Sequence, residues 1–167
     1  MLNVQFEPKE CRFNSSGTQF VGSLQIASIM DAEKDNQALV HLFRYLDPKA
    51  NPPSPQELLD DPYSIALFLR KIRPKGETEH QEIVGLVILT RIFDSGKGII
   101  STMALQSRYE GYHIEKIMME SVVTISQNLG IKTLEILINP HQKELRNALR
   151  VSGLTLEYEQ ELYRYSL

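Results

Sequence analysis

Ile99-Ile100-Ser101-Thr102-Met103-Ala104-Leu105, followed by Tyr109-Glu110-Gly111-Tyr112-His113-Ile114-Glu115, is the stretch that decides the fold. The first part is an apolar run of strand character and the second a short loop that opens a helix. From Ile114 onward, Ile117, Met118, Ser121, Val122, Ile125 and Leu129 recur at the i, i+3, i+4, i+7 spacing of a helix packed by one face. Gly130 is placed to end that helix in the left-handed conformation. A second apolar run, Thr133 to Ile138, begins almost at once, so the unit reads strand, tight loop, helix, strand. Main-chain N–H groups at a helix N-terminus lack partners and carry the positive end of the dipole. A loop entering a helix this way is a phosphate cradle in principle.

Outward from this unit, the rest of the chain supplies strands and helices without repeats or low-complexity tracts. Residues 1–17 are polar and expected to be irregular, ending in the turn composition Asn14-Ser15-Ser16-Gly17. Phe20 to Ile29 reads as a first strand. A helix from Asp31 or Asp35 follows, with Ala38, Leu39, Leu42, Phe43 and Leu46 as its apolar face, stopped by Pro48 and Asn51-Pro52-Pro53. Ser54-Pro55-Gln56-Glu57 is a capping box with proline in the first turn. Tyr63 to Ile72 and Glu82 to Ile92 are strands joined by the polar segment Pro74 to Gln81, and Asp94-Ser95-Gly96-Lys97-Gly98 turns into the central run. Asn139-Pro140-His141-Gln142 caps a last helix reaching about Ser152, with Gln142 able to reach back to the cap. Leu154, Leu156, Tyr158, Tyr163 and Tyr165 mark a closing strand. The expected architecture is a mixed α/β (α+β) sheet of six or seven strands, largely antiparallel with one parallel crossover, and helices on both faces.

The bulk properties exclude several classes. A chain of 167 residues with 42% hydrophobic and 23% charged residues is one globular domain. A net charge of −3 gives no basic surface for nucleic acid. No apolar run approaches the roughly 18 residues of a membrane span, and Met1 to Arg12 is too polar for a secretory leader. The single Cys11 permits no internal disulfide and fits a reducing cytoplasmic compartment. Four histidines without ligand spacing give no metal site. Nucleophile-elbow, Walker and dinucleotide motifs are absent.

The element order across residues 20–165 resembles the GNAT (GCN5-related N-acetyltransferase) superfamily. In that family the strand enters a loop of pattern Q/R-x-x-G-x-G/A, often seen as Y-R-G-x-G-I-G. Tyr109, Gly111 and Ile114 match it. Leu145 and Gly153-Leu154 are similar to the closing pattern A-x-x-L-Y-x-x-x-G-F. The resemblance implies an N-acetyltransferase that moves an acyl group from acetyl-CoA, or another acyl-CoA, to a small-molecule or protein amine. It further implies that main-chain groups of Met103 and Leu105 hold the pantetheine arm. The pyrophosphate then falls to Tyr109, Glu110, Gly111, Tyr112, His113 and Ile114.

The departures are chemical. Glu110 stands at the Q/R position, His113 at the next glycine and Glu115 at the last. Leu149 stands where the family often has a tyrosine acid, and Ser101 or Thr102 where some members have a glutamate. A second register sets Arg108, Gly111 and His113 on the motif. A carboxylate about 5–6 Å from a phosphate charge costs about 3 kcal/mol at an effective dielectric near 20, before salt screening, or about a hundredfold in affinity. Glu115 is read two ways: as an early-turn acid complementing the dipole, or as a residue that weakens CoA binding. Arg108 and Lys116 are candidates to offset it. Other candidate groups each carry two readings. His113 is a base near the acyl site or an exposed histidine, and His41 lies beside the acceptor groove or is inert. Tyr158, Tyr163 and Tyr165 supply a phenolic acid or are packing residues. Arg70-Lys71-Ile72-Arg73-Pro74-Lys75 is a contact for an anionic partner or the CoA 3′-phosphate, or a solvated strand end. The alternatives to catalysis are a non-catalytic binding module and, third, a dimer-forming scaffold that uses the tyrosine-rich last strand as an exposed edge.

Overall fold

The computed structural model describes residues 9–15, 18–26, 34–49, 51–72, 82–92, 95–109, 114–136, 138 and 142–151. In chain order these are β1 (Lys9–Ser15), β2 (Thr18–Ile26), α1 (Lys34–Leu46), α2 (Pro55–Asp60), β3 (Ser64–Ile72), β4 (Glu82–Ile92) and β5 (Lys97–Leu105). A single 3-10 turn (Ser107–Tyr109) then precedes α3 (Ile114–Asn128), β6 (Thr133–Ile136) and α4 (Lys143–Val151). The strands form one mixed sheet in the order β1-β2-β3-β4-β5-β6, antiparallel except for the β5–β6 pair. The closing strand expected after Leu154 lies outside the described residues.

Both faces of the sheet are covered, which explains the unbroken apolar character of its central strands. Residues 64–70 of β3 and 83–89 of β4 are buried without alternation, as strands sandwiched between helices must be. Leu39 and Leu42 of α1 and Leu58 of α2 pack on Ala66, Phe68, Leu86 and Ile88. On the opposite face, Met118, Val122 and Ile125 of α3, with Leu145 and Leu149 of α4, pack on Leu67, Leu69, Val87, Ile100 and Met103.

Local signals set the boundaries. The Ser54 hydroxyl accepts from the Glu57 N–H at 3.2 Å while the Glu57 carboxylate accepts from the Ser54 N–H at 2.6 Å. These bonds hold the Glu57 carboxyl below the usual range. At the end of α3, Gly130 has φ 69°. Ile131 N–H bonds to Ser126 C=O at 2.9 Å and Gly130 N–H to Gln127 C=O at 3.0 Å, a Schellman motif that turns the chain into β6. Gly98 is needed for another reason. A Cβ there would sit 3.0 Å from Ile131 Cδ1 and 3.2 Å from Leu134 Cδ2, where β6 is drawn against β5.

Two sequence expectations are corrected. Residues 9–15 are not irregular; they form β1, paired with β2 from Lys9↔Leu24 to Ser15↔Thr18. Edge pairing needs little apolar character, and here buried Cys11 lies between exposed Glu10 and Arg12. Burial pushes the Cys11 thiol pKa up. The second correction is Arg70, which is not part of a solvated strand end. It is 8% exposed and makes a bidentate pair with Asp35 in the first turn of α1, at 3.1 and 3.0 Å.

Candidate functional site

Among the described residues, β5 holds a strand partner on its β6 side only over its first half. The parallel pairing runs from Lys97↔Thr133 to Ile100↔Ile136 and stops there, while β5 continues to Leu105. A bulge coincides with the parting: Ile88 opposes Thr102 and Leu89 opposes Ile100, which leaves Ser101 as the extra residue. A bulge shifts the inward-outward phase by one. This is why Ile100 and Met103, three positions apart, both belong to the α3–α4 core.

The main-chain direction beyond the bulge follows from the ladder. Gln106 N–H bonds to Val84 C=O at 2.9 Å, and the register continues through Gly85↔Leu105, Leu86↔Ala104 and Val87↔Met103. In an antiparallel pair, alternate residues direct both main-chain groups to the partner. Gln106 and Ala104 therefore face β4, and the N–H and C=O of Met103 and Leu105 face the gap beside α3 and α4. Into this gap comes Gln142, whose side-chain amide donates to the Met103 carbonyl oxygen at 3.4 Å.

A polar clamp fixes the entry to the loop. Gln106 donates to the Glu82 carboxylate at 3.1 Å and to Ile83 C=O at 3.2 Å. Arg108 donates to Gln106 Oε1 at 3.0 Å and pairs with Glu82 at 2.9 Å. Its guanidinium also lies 4.9 Å from the Tyr109 ring centroid. Tyr109 is 1% exposed, and its N–H bonds to Gln106 C=O at 2.8 Å. Glu110, Gly111, Tyr112 and His113 lie outside the described residues. Ile114, at the start of α3, is buried in the core. Arg108 is thus bound to Glu82, and Lys116 pairs with Glu120 at 3.8 Å.

Glu115 is an acid of the first turn of α3, as expected, and it is buried. It is 5% exposed and lines a cavity of about 20 Å³ together with Met103, Leu105, Met118, Leu145 and Gln142, a space for about one water molecule. The reason is positional: the second residue of α3 points at the β5 edge, where the family pattern has a glycine. Sequence reasoning also missed Gln142. Its C=O accepts from Arg146 N–H at 3.0 Å and its side-chain amide donates across to β5; Asn139, the expected cap, lies outside the described residues. No local pattern marks such a reach.

The remaining candidates lie apart from the gap or within the core. Leu149 is 6% exposed in the α3–α4 core. Ser101 is exposed, with its hydroxyl 3.5 Å from Ile88 C=O, and His41 is an exposed residue of α1. The C-terminal tyrosines fall outside the described residues. Among the described residues, no cluster of His, Cys, Asp and Glu could hold a metal, and no helix is long and apolar enough to cross a membrane.

No family model matches the sequence, and no curated protein matches it. Solved structures do match its shape. An aminoglycoside acetyltransferase from an uncultured soil metagenomic sample, solved with sisomicin, superposes with a TM-score of 0.60 at 16% identity, covering 86% of this chain and 96% of that one. An aminoglycoside N-acetyltransferase solved with CoA gives a TM-score of 0.63 at 10% identity, over 89% and 97%. The ribosomal-protein-alanine N-acetyltransferase of Brucella melitensis biovar Abortus 2308 gives 0.60 at 14%, over 87% and 99%. With six strands in one mixed sheet among its described residues, its strand parting at Ser101 and these neighbours, the chain has the fold of the GNAT N-acetyltransferases.

Proposed function

We propose that this chain transfers an acyl group from an acyl-CoA, acetyl-CoA in the first instance, to an amine nitrogen. The observation that carries this reading is the β5 edge beyond Ile100. Met103 and Leu105 direct main-chain donors and acceptors into a gap that ends at the N-terminus of α3. A pantetheine arm is an amide chain, and an edge of this kind receives it as an added strand. The pyrophosphate would then meet the Tyr109–Ile114 loop and the first N–H groups of α3. The thioester carbonyl comes to rest near the parting at Ser101. There a neutral amine attacks the carbonyl carbon, the C–S bond breaks, and the thiolate takes up a proton as the ammonium loses one. Proximity and main-chain donors to the developing oxyanion supply most of what this reaction needs. With Leu149 in the position of the family's tyrosine acid, thiolate departure is assisted by water or by a group from elsewhere. The structural neighbours acetylate aminoglycosides and ribosomal-protein alanine, which supports an acceptor that is a small-molecule or protein amine.

A specific observation favours a second reading, a non-catalytic binding module. Glu115 and Gln142 both line the small cavity in the gap, so the groove is narrowed by the chain's own polar groups. The two readings separate on the double variant Glu110→Arg, Glu115→Ala. For an acyl-CoA groove, removing two carboxylates strengthens acetyl-CoA binding by up to about a hundredfold in a calorimetric titration at low salt. Unchanged or weaker affinity means that the 109–114 loop is no phosphate cradle, and the binding-module reading then stands.

A further inference from the structure

Gln142 sits at the N-cap of α4, with its C=O accepting the first helical N–H, that of Arg146, at 3.0 Å. N-caps usually carry a short polar side chain that folds back onto its own helix. Gln142 carries a longer one, and its carboxamide reaches across 39 residues of sequence to the Met103 carbonyl oxygen. That carbonyl lies on the stretch of β5 that, among the described residues, has no strand partner on the β6 side. An amide N–H donating to it is the same interaction that an added strand, or an amide-bearing ligand, would make there. Gln142 lines the adjoining cavity, about 20 Å³, together with Met103 and Leu105.

We propose that Gln142 is an internal competitor for the β5 edge, and that a ligand with a secondary amide N–H binds only by displacing its carboxamide. The ligand class is a pantetheine-bearing thioester, so the inference rests on the acyl-CoA reading. Two features suit the side chain to displacement. Its 3.4 Å bond is long for an N–H to O contact, hence weak. Leu145 and Leu149 hold α4 in the core, so opening the edge needs a rotation of one side chain and no movement of the helix. The apparent affinity for CoA is then the intrinsic affinity reduced by the fraction of molecules in which Gln142 has swung away.

The test is calorimetric titration of CoA, and separately of ADP, into the wild type, Gln142→Ala and Gln142→Met. Alanine removes the side chain; methionine keeps its bulk and loses the donor. Both variants are expected to bind CoA about three- to tenfold tighter, the worth of one modest hydrogen bond. ADP has no pantetheine amide, and its affinity is expected to stay unchanged. Equal or weaker CoA binding by the variants overturns the competition and leaves the acyl-CoA reading intact. A gain shared by ADP also overturns it, because the change then lies outside the amide position. A gain with alanine and none with methionine replaces hydrogen-bond competition with simple bulk. If none of the three proteins binds CoA, the competition and the acyl-CoA reading fall together.

Discussion

Asp35→Ala is expected to destabilise the fold by about 3–5 kcal/mol, the range for removing one member of a buried ion pair. Asp35 is 4% exposed and Arg70 8% exposed, and two parallel N–H to carboxylate bonds join them. The variant leaves the guanidinium desolvated without those bonds, between α1 and the sheet. Replacing both, as Asp35→Leu with Arg70→Met, removes the charge together with its partner and should cost much less. Urea denaturation of the three proteins measures this. A single-variant loss below about 1 kcal/mol would show that Arg70 reaches water and that α1 is not pinned to β3 by this pair.

Val122→Asp is expected to cost at least about 3 kcal/mol, from an unpaired carboxylate set among apolar neighbours. Val122 is fully buried on the face of α3 that also carries Met118 and Ile125. Thermal or urea unfolding gives the value, and a change under about 1 kcal/mol would contradict the packing of α3 on the sheet.

The face of α3 was legible because it rests on periodicity alone: Ile114, Met118, Ser121, Val122 and Ile125 are all buried as their spacing predicts. Elements with local punctuation were legible for the same reason. The Ser54–Glu57 capping box, the β4 boundaries and the left-handed Gly130 all follow from residues within a few positions of one another. What the sequence hid depends on contacts between distant segments. Arg70 stands in a basic run and reads as solvated; only the approach of Asp35 from α1 makes it a buried residue. β1 carries few apolar residues because an edge strand needs few, so it read as a polar tail. Glu115 looked like an ordinary early-turn acid, and only the structure sets it beside the small cavity at the β5 edge. Gln142 looked like part of a cap, and its role depends on the Met103 carbonyl that the bulge at Ser101 turns toward it. In each case the residue type was visible and its neighbour was not.

The chemistry of the gap is tested most directly by thiol release from acetyl-CoA at stoichiometric enzyme, with a panel of small-molecule and peptide amines. Leu149 provides no acid for the departing thiolate, and general acid catalysis typically contributes about 10²–10⁴-fold. Slow, amine-dependent release is therefore expected, above the hydrolysis background and linked to an acetylated amine detected by mass. No release above background from any amine, at a sensitivity of about one turnover per hour, would contradict acyl transfer to those acceptors and leave the fold serving as a binding module.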